Sequence, residues 1–184
     1  MSTTPPDHQE VLRFWFEEIE PKQWWVKSKP FDKLVRDRFF DLHARASCGE
    51  LFAWRSSAAG RLAEVIVLDQ FSRNMFRDTA QSFAYDSLAL VLAQEAVALG
   101  ADQEIDTEHR PFFYLPFMHS ESLLIHDVAM QLYTAFASES QMNFEQRHRK
   151  IIQQFGRYPH RNDILGRTST KEEIEFLSQP GSSF

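Results

Sequence analysis

Three short stretches of this 184-residue chain hold more chemistry-bearing side chains than packing alone requires. In "LDQFSRN", Leu68 to Asn74, an apolar run leads into Asp69, with Arg73 one helical turn on and Asn74 beside it. In "YLPFMHSE", Tyr114 to Glu121, His119 and Glu121 follow Pro116. In "FGRYPHRNDILGR", Phe155 to Arg167, Arg157, Arg161 and Arg167 surround His160 and Asn162. From Arg147 to Arg167 six basic residues face Asp163 alone, a local charge of +5 in a chain of net charge −6, so the remainder sums to −11.

These residue types admit three chemistries. The first is an anion-binding pocket for a small anionic or carboxylate-bearing ligand or a peptide terminus. Arg157, Arg161, Arg167 and Arg73 would supply planar forks there, with Asn74 and Asn162 orienting the ligand and Asp69 orienting the forks. The second is a metal-independent acid–base enzyme, with His119 or His160 and Glu121 exchanging protons while the arginines stabilise developing negative charge. The third makes the basic turn a structural network that pairs internally with carboxylates such as Asp69 and Glu121, leaving contact with other proteins through an aromatic groove as the activity.

Other chemistries lack their signatures. Six dispersed glycines form neither G-x-G-x-x-G nor G-x-x-x-x-G-K, and G-x-S-x-G and H-E-x-x-H are absent. His119 and His126 stand seven residues apart, ~10 Å along a helix, too far for one metal. No metal or cofactor is therefore expected. A pI near 5.6 argues against nucleic-acid binding. No apolar stretch approaches the ~18 residues of a membrane span. The start "MSTTPPDHQE" has no signal-peptide pattern and Cys48 is the one cysteine, so a cytoplasmic protein is expected. The oligomeric state is not fixed by the sequence.

The elements that must position these residues are helical. Periodicity predicts helices near 7–19, 30–47, 60–72, 79–99, 117–137, 143–155 and 170–178, with no alternating strand pattern. The fold class is all-α, a single domain over 7–178 of stacked antiparallel helix pairs, with loose termini at 1–6 and 179–184. All six glycines read as helix stops. Asp32 precedes Arg36 by one turn as a supporting pair, and Thr170 with Glu173 fits a capping box. Pro116 suits the first turn of the helix over 117–137, which would set His119 at its positive end and lower the histidine pKa. The 17 Phe and 4 Trp read as a ring-rich core. Trp24 and Trp25 read as clamping a turn, although exposed they would mark a partner surface. His43 and His109 read as surface or partly buried side chains, and Cys48 as a packing thiol.

"FWF" near the start, Trp25 followed by Phe31 and Asp32, "LDQFSRN", "FAYDSLAL", "FFYLPFMHSE", "FGRYPHRNDILGRTST" and the terminal "PGSSF" occur in the order of a known pattern. Over about residues 11 to 184 the chain resembles the bacterial family called domain of unknown function 924. The resemblance implies a tetratricopeptide-like helical fold in a cytosolic protein without an established activity. The family's polar positions fall on Asp69, Gln70, Arg73, Asn74, His119, Ser120, Glu121, Gly156, Arg157, Pro159, His160, Arg161, Asn162, Gly166 and Arg167. Two positions depart: the family has Pro where Ser72 stands and Gln where His126 stands.

Overall fold

The computed structural model describes residues 7–136 and 138–182. Of the expected loose ends at 1–6 and 179–184, residues 1–6 and 183–184 lie outside the described residues; 179–182 are held in a turn instead, with Gln179 N donating to Phe176 O and the buried Ser182 donating its hydroxyl to Leu177 O at 3.1 Å. Among the described residues every regular element is helical and there is no strand. No helix there is long and apolar enough to cross a membrane. The chain divides into two compact units, one running up to Arg77 and resuming over Gln81–Pro116, the other made of Asp78–Ala80 and Phe117 onward.

The first unit holds α1 (His8–Arg13), α2 (Lys29–Ser47), α3 (Ala58–Ile66), α4 (Ser72–Met75) and α5 (Asp86–Ala98). Each early helix starts where a short polar side chain accepts a free backbone N–H: Asp7 from Glu10, Ser28 from Phe31, Ser57 from Gly60. In α2, Phe31, Val35, Phe39, Leu42, His43 and Ala46 form the buried stripe. That stripe meets Phe14 and Phe71, with ring centroids 5.0 Å apart for Phe14–Phe39 and 4.8 Å for Phe39–Phe71. α3 packs on α1 and α5, and α2 on α4. A one-turn π segment, Val67–Phe71, joins α3 to α4 and is buried throughout. Its wider turn shifts the helix register, which brings Asp69 and Gln70 inside along with their apolar neighbours.

The second unit holds α7 (Leu123–Phe136), α8 (Glu139–Phe155) and α9 (Lys171–Leu177); the division between units falls within α6 (Pro111–Met118). α7 packs on α8, and α9 on the short 3₁₀ turn Pro159–Arg161. Ile151, Ile152 and Tyr158 make its core, with Phe155 and Phe176 against them. α8 stops at Gly156, which takes the left-handed conformation at φ 69° and donates its N–H to Ile152 O.

Seven expectations are corrected. The helix expected over 79–99 is a 3₁₀ turn, Ala80–Phe83, followed by α5 from Asp86. The helix over 117–137 is two helices, because α6 begins at Pro111 and carries Pro116 inside it. His119 follows the C-terminal end of α6, so the positive-dipole argument does not apply to it. Gly60 is a helix-interior residue: a Cβ there would stand 2.1 Å from Trp54 O, so close backbone approach selects glycine. Asp32 pairs with Arg77 and Asn74, while Arg36 donates to Met75 O. His43 is fully buried and Cys48, capping α2, is exposed.

Candidate functional site

The residues nominated from the sequence divide between the two units. Asp69, Arg73 and Asn74 lie in the first; His119, Glu121, Arg157, His160, Arg161, Asn162 and Arg167 lie in the second.

In the first unit, Arg73 stands one helical turn after Asp69 and reaches its Oδ1 at 3.1 Å. Its fork also donates to both oxygens of Asp86, at 2.9 and 3.0 Å. Gln70 Nε2 donates to the other Asp69 oxygen at 2.5 Å. Asn74 Nδ2 donates to Asp32 Oδ1 at 2.9 Å, and the Arg77 fork closes on the same carboxylate at 2.6 and 2.7 Å. Each carboxylate therefore has its acceptor positions engaged by the unit's own donors.

The second unit contains the basic turn. Arg167 donates through Nη1 and Nη2 to the two oxygens of Glu121, at 2.7 and 2.9 Å, and Tyr158 N donates to Glu121 Oε1 at 2.7 Å. Burial alone would raise the Glu121 pKa; the Arg167 fork, the Tyr158 N–H and the charges of Arg161 and Arg167 outweigh it and hold the carboxyl below its ordinary value. Arg157 donates to both oxygens of Glu173, at 2.7 and 2.8 Å, and to Thr168 O. Glu173 also accepts from Thr170 N, completing the capping box, and from Asn162 Nδ2. The Arg157 fork is the largest of the influences that pull the Glu173 carboxyl down to about 2. Arg161 is buried, donates to His119 O at 3.0 Å, and lays its guanidinium 4.8 Å from the Tyr158 ring centre. His160 tilts its ring against Tyr158, centroids 5.6 Å apart.

A second polar group in this unit was not visible in the sequence. His126 of α7 and Glu145 of α8 are wholly buried, with Nδ1 and Oε1 2.6 Å apart, and His126 Nε2 donates to Ser120 O at 2.9 Å. Tyr158 Oη stands 3.2 Å from the same Nε2. Burial is the main influence on Glu145 and raises its pKa, against the pull of His126. His148 is buried nearby on α8 with Nδ1 bonded to Phe144 O, and desolvation pushes its pKa down to about 3. These partners come from different elements and share no sequence spacing; the one hint was that His126 replaces the Gln of the family pattern.

A shallow groove of about 510 Å³ lies beside Arg157, lined by Gln154, Phe155, Arg157, Thr170, Glu172 and Glu173. One cation there stands against two carboxylates. Among the described residues no group of three or more His, Cys, Asp or Glu is arranged to hold a metal ion.

Residues 11–181 match the model of a family described as bacterial protein of unknown function, DUF924. A solved structure of a protein of unknown function from Agrobacterium tumefaciens superposes on the chain with a TM-score of 0.88 at 39% identity, covering 92% of this chain and 96% of that one. No curated protein matches.

Proposed function

We propose a function from one premise: the chain belongs to the DUF924 family, bacterial proteins of unknown function. The reading is an interaction protein, a helical scaffold that binds another macromolecule through its surface, with the Arg157–Arg167 stretch acting as an internal brace. One observation carries it. The forks of Arg157 and Arg167 are each closed on an internal carboxylate, Glu173 and Glu121. What packing leaves unexplained is the exposed apolar side chains, Trp25, Leu124, Phe144 and Ile174 among them.

The two rival readings meet specific obstacles. As a general acid, Glu121 would need a proton at neutral pH, and a carboxyl held below its ordinary pKa by three N–H donors carries none. As an anion site, the groove beside Arg157 sets that guanidinium against Glu172 and Glu173, so its local charge repels an anion.

The test is a set of thermal melts of Arg157→Lys, Arg161→Lys and Arg167→Lys, each with and without phosphate, acetate or succinate. The brace reading expects every variant to melt several degrees lower, because lysine can neither close a fork on Glu173 or Glu121 nor lay a planar guanidinium on Tyr158 as Arg161 does, and expects no anion to raise the wild-type Tm. A succinate-dependent rise in the wild type that the Arg157 or Arg161 variant loses would replace this reading with the ligand site.

A further inference from the structure

The loop from Glu20 to Lys29 combines two features that rarely share a short surface segment. Trp25 and Val26 are adjacent, and their side chains are 64% and 57% exposed. Around them stand Lys22, Lys27 and Lys29, all exposed and without an ion pair among the described residues. Glu20 is the loop's one acidic residue, so the loop carries +2 while the rest of the chain sums to −8.

The loop is held in shape. Pro21 opens a 3₁₀ turn that Glu20 and Gln23 cap reciprocally, and Trp25 N donates to Lys22 O at 3.2 Å. Trp24 donates its indole N–H to Trp15 O at 2.9 Å and meets the Phe112 ring edge-on at 5.1 Å. The Trp25 ring lies nearly parallel to Phe112, with 13° between their planes and 6.2 Å between centroids. The indole face is thus presented ready-made, which reduces the entropy lost when something covers it.

We infer that this loop is a docking surface for an acidic peptide segment of a partner protein, one in which Asp or Glu alternates with a large apolar residue. The inference deepens the interaction reading above and rests on it. Its occupant follows from charge and shape. Unpaired lysines select an anionic partner, and an exposed indole beside a valine selects one with an apolar side chain to bury. An anionic bilayer fits less well, because a plane meets the rest of the chain, which sums to −8, as well as the loop, and three lysines alone are a weak anchor to such a surface. A short peptide meets the loop alone.

The experiment is a titration of the full chain, by calorimetry and tryptophan fluorescence, with a short synthetic peptide alternating Glu and Leu. The controls are the same peptide with Gln for Glu, phosphatidylserine vesicles and single-stranded oligothymidine. Saturable binding of the Glu peptide that weakens with salt is expected, with at least about tenfold loss in Trp25→Ala and in the triple variant Lys22→Ala/Lys27→Ala/Lys29→Ala. The three lysines are exposed and should leave the melt unchanged, whereas Trp25→Ala also loses its contact with Phe112, so binding of that variant is read well below its own Tm, where it is folded and a loss of binding does not reflect unfolding. The inference is overturned if the Glu peptide does not bind, if the Gln peptide binds as well, if the variants bind unchanged, or if vesicles or oligothymidine bind in its place. Such a failure leaves the brace reading standing, whereas a succinate-stabilised wild type would remove that reading whatever the peptide does.

Discussion

At the residue scale, Glu173 is the side chain on which most of the basic turn converges. One carboxylate accepts the Arg157 fork, the Thr170 N–H at the start of α9 and the Asn162 amide. Glu173→Ala should lower the unfolding free energy by about 2 kcal/mol, the range for leaving donors such as the buried Asn162 amide and the part-buried Thr170 N–H without their acceptor. Glu172→Ala, one residue away and exposed, should leave the urea midpoint nearly unchanged. Urea unfolding of both variants at unchanged m-value checks the contrast. Only part of this was legible. The capping box follows from a spacing of three, whereas Arg157 and Glu173 are 16 residues apart and Arg167 and Glu121 are 46 apart. Residue type named Glu121 as a carboxylate the turn could use; which arginine it takes, Arg167, is a matter of tertiary structure. His126 and Glu145 were beyond reach for the same reason, since a pair formed across two packed helices leaves no local pattern.

At the element scale, hydrophobic period placed α2 and α9 well, because their apolar residues recur at helical steps and their starts carry recognisable caps; α5 begins at Asp86 instead of 79, with no side-chain cap, and α8 at Glu139 instead of 143. Periodicity failed where the backbone departs from the regular α form. The segment Val67–Phe71 is buried on every side and its π turn leaves no signature in apolar spacing. Pro116 misled because proline is common in first turns, whereas here α6 already starts at Pro111. Gly60 misled likewise, being selected by contact and not by backbone angle. Glycine to alanine in a free helix stabilises by about 1 kcal/mol. In α3 the added methyl would meet the Trp54 carbonyl, a backbone group that cannot step aside. Gly60→Ala should therefore destabilise, by about 2 kcal/mol, as overpacking does. A melt followed by circular dichroism reads the sign directly.

At the scale of the whole molecule, composition and pattern were enough for the all-α class, and ordered motifs were enough for the family, whose model spans residues 11–181. The balance of buried titrating groups was not legible, because burial is a tertiary property. Desolvation lowers His43 from 6.5 to about 4 and His148 from 6.5 to about 3. The unfolded chain binds protons on both histidines below pH 6.5 and the folded one does not, so their contribution is complete above that value and falls as the pH drops through this window. Glu145 acts in the opposite direction: its raised pKa favours the fold in acid and the benefit fades as the pH rises through it. The expected net result is a fall in unfolding free energy below pH 6.5. His43→Gln should flatten it by up to about 1.4 kcal/mol per pH unit between 6.5 and 4, measured by urea titrations at stepped pH. One further consequence comes from α2, whose first residue, Lys29, closes the exposed tryptophan loop and whose cap is the exposed Cys48. Nineteen residues of helix make a ruler about 28 Å long. A maleimide dye on the chain's sole thiol would sit at one end of that ruler, a fixed reporter for energy transfer from a labelled peptide seated at the other.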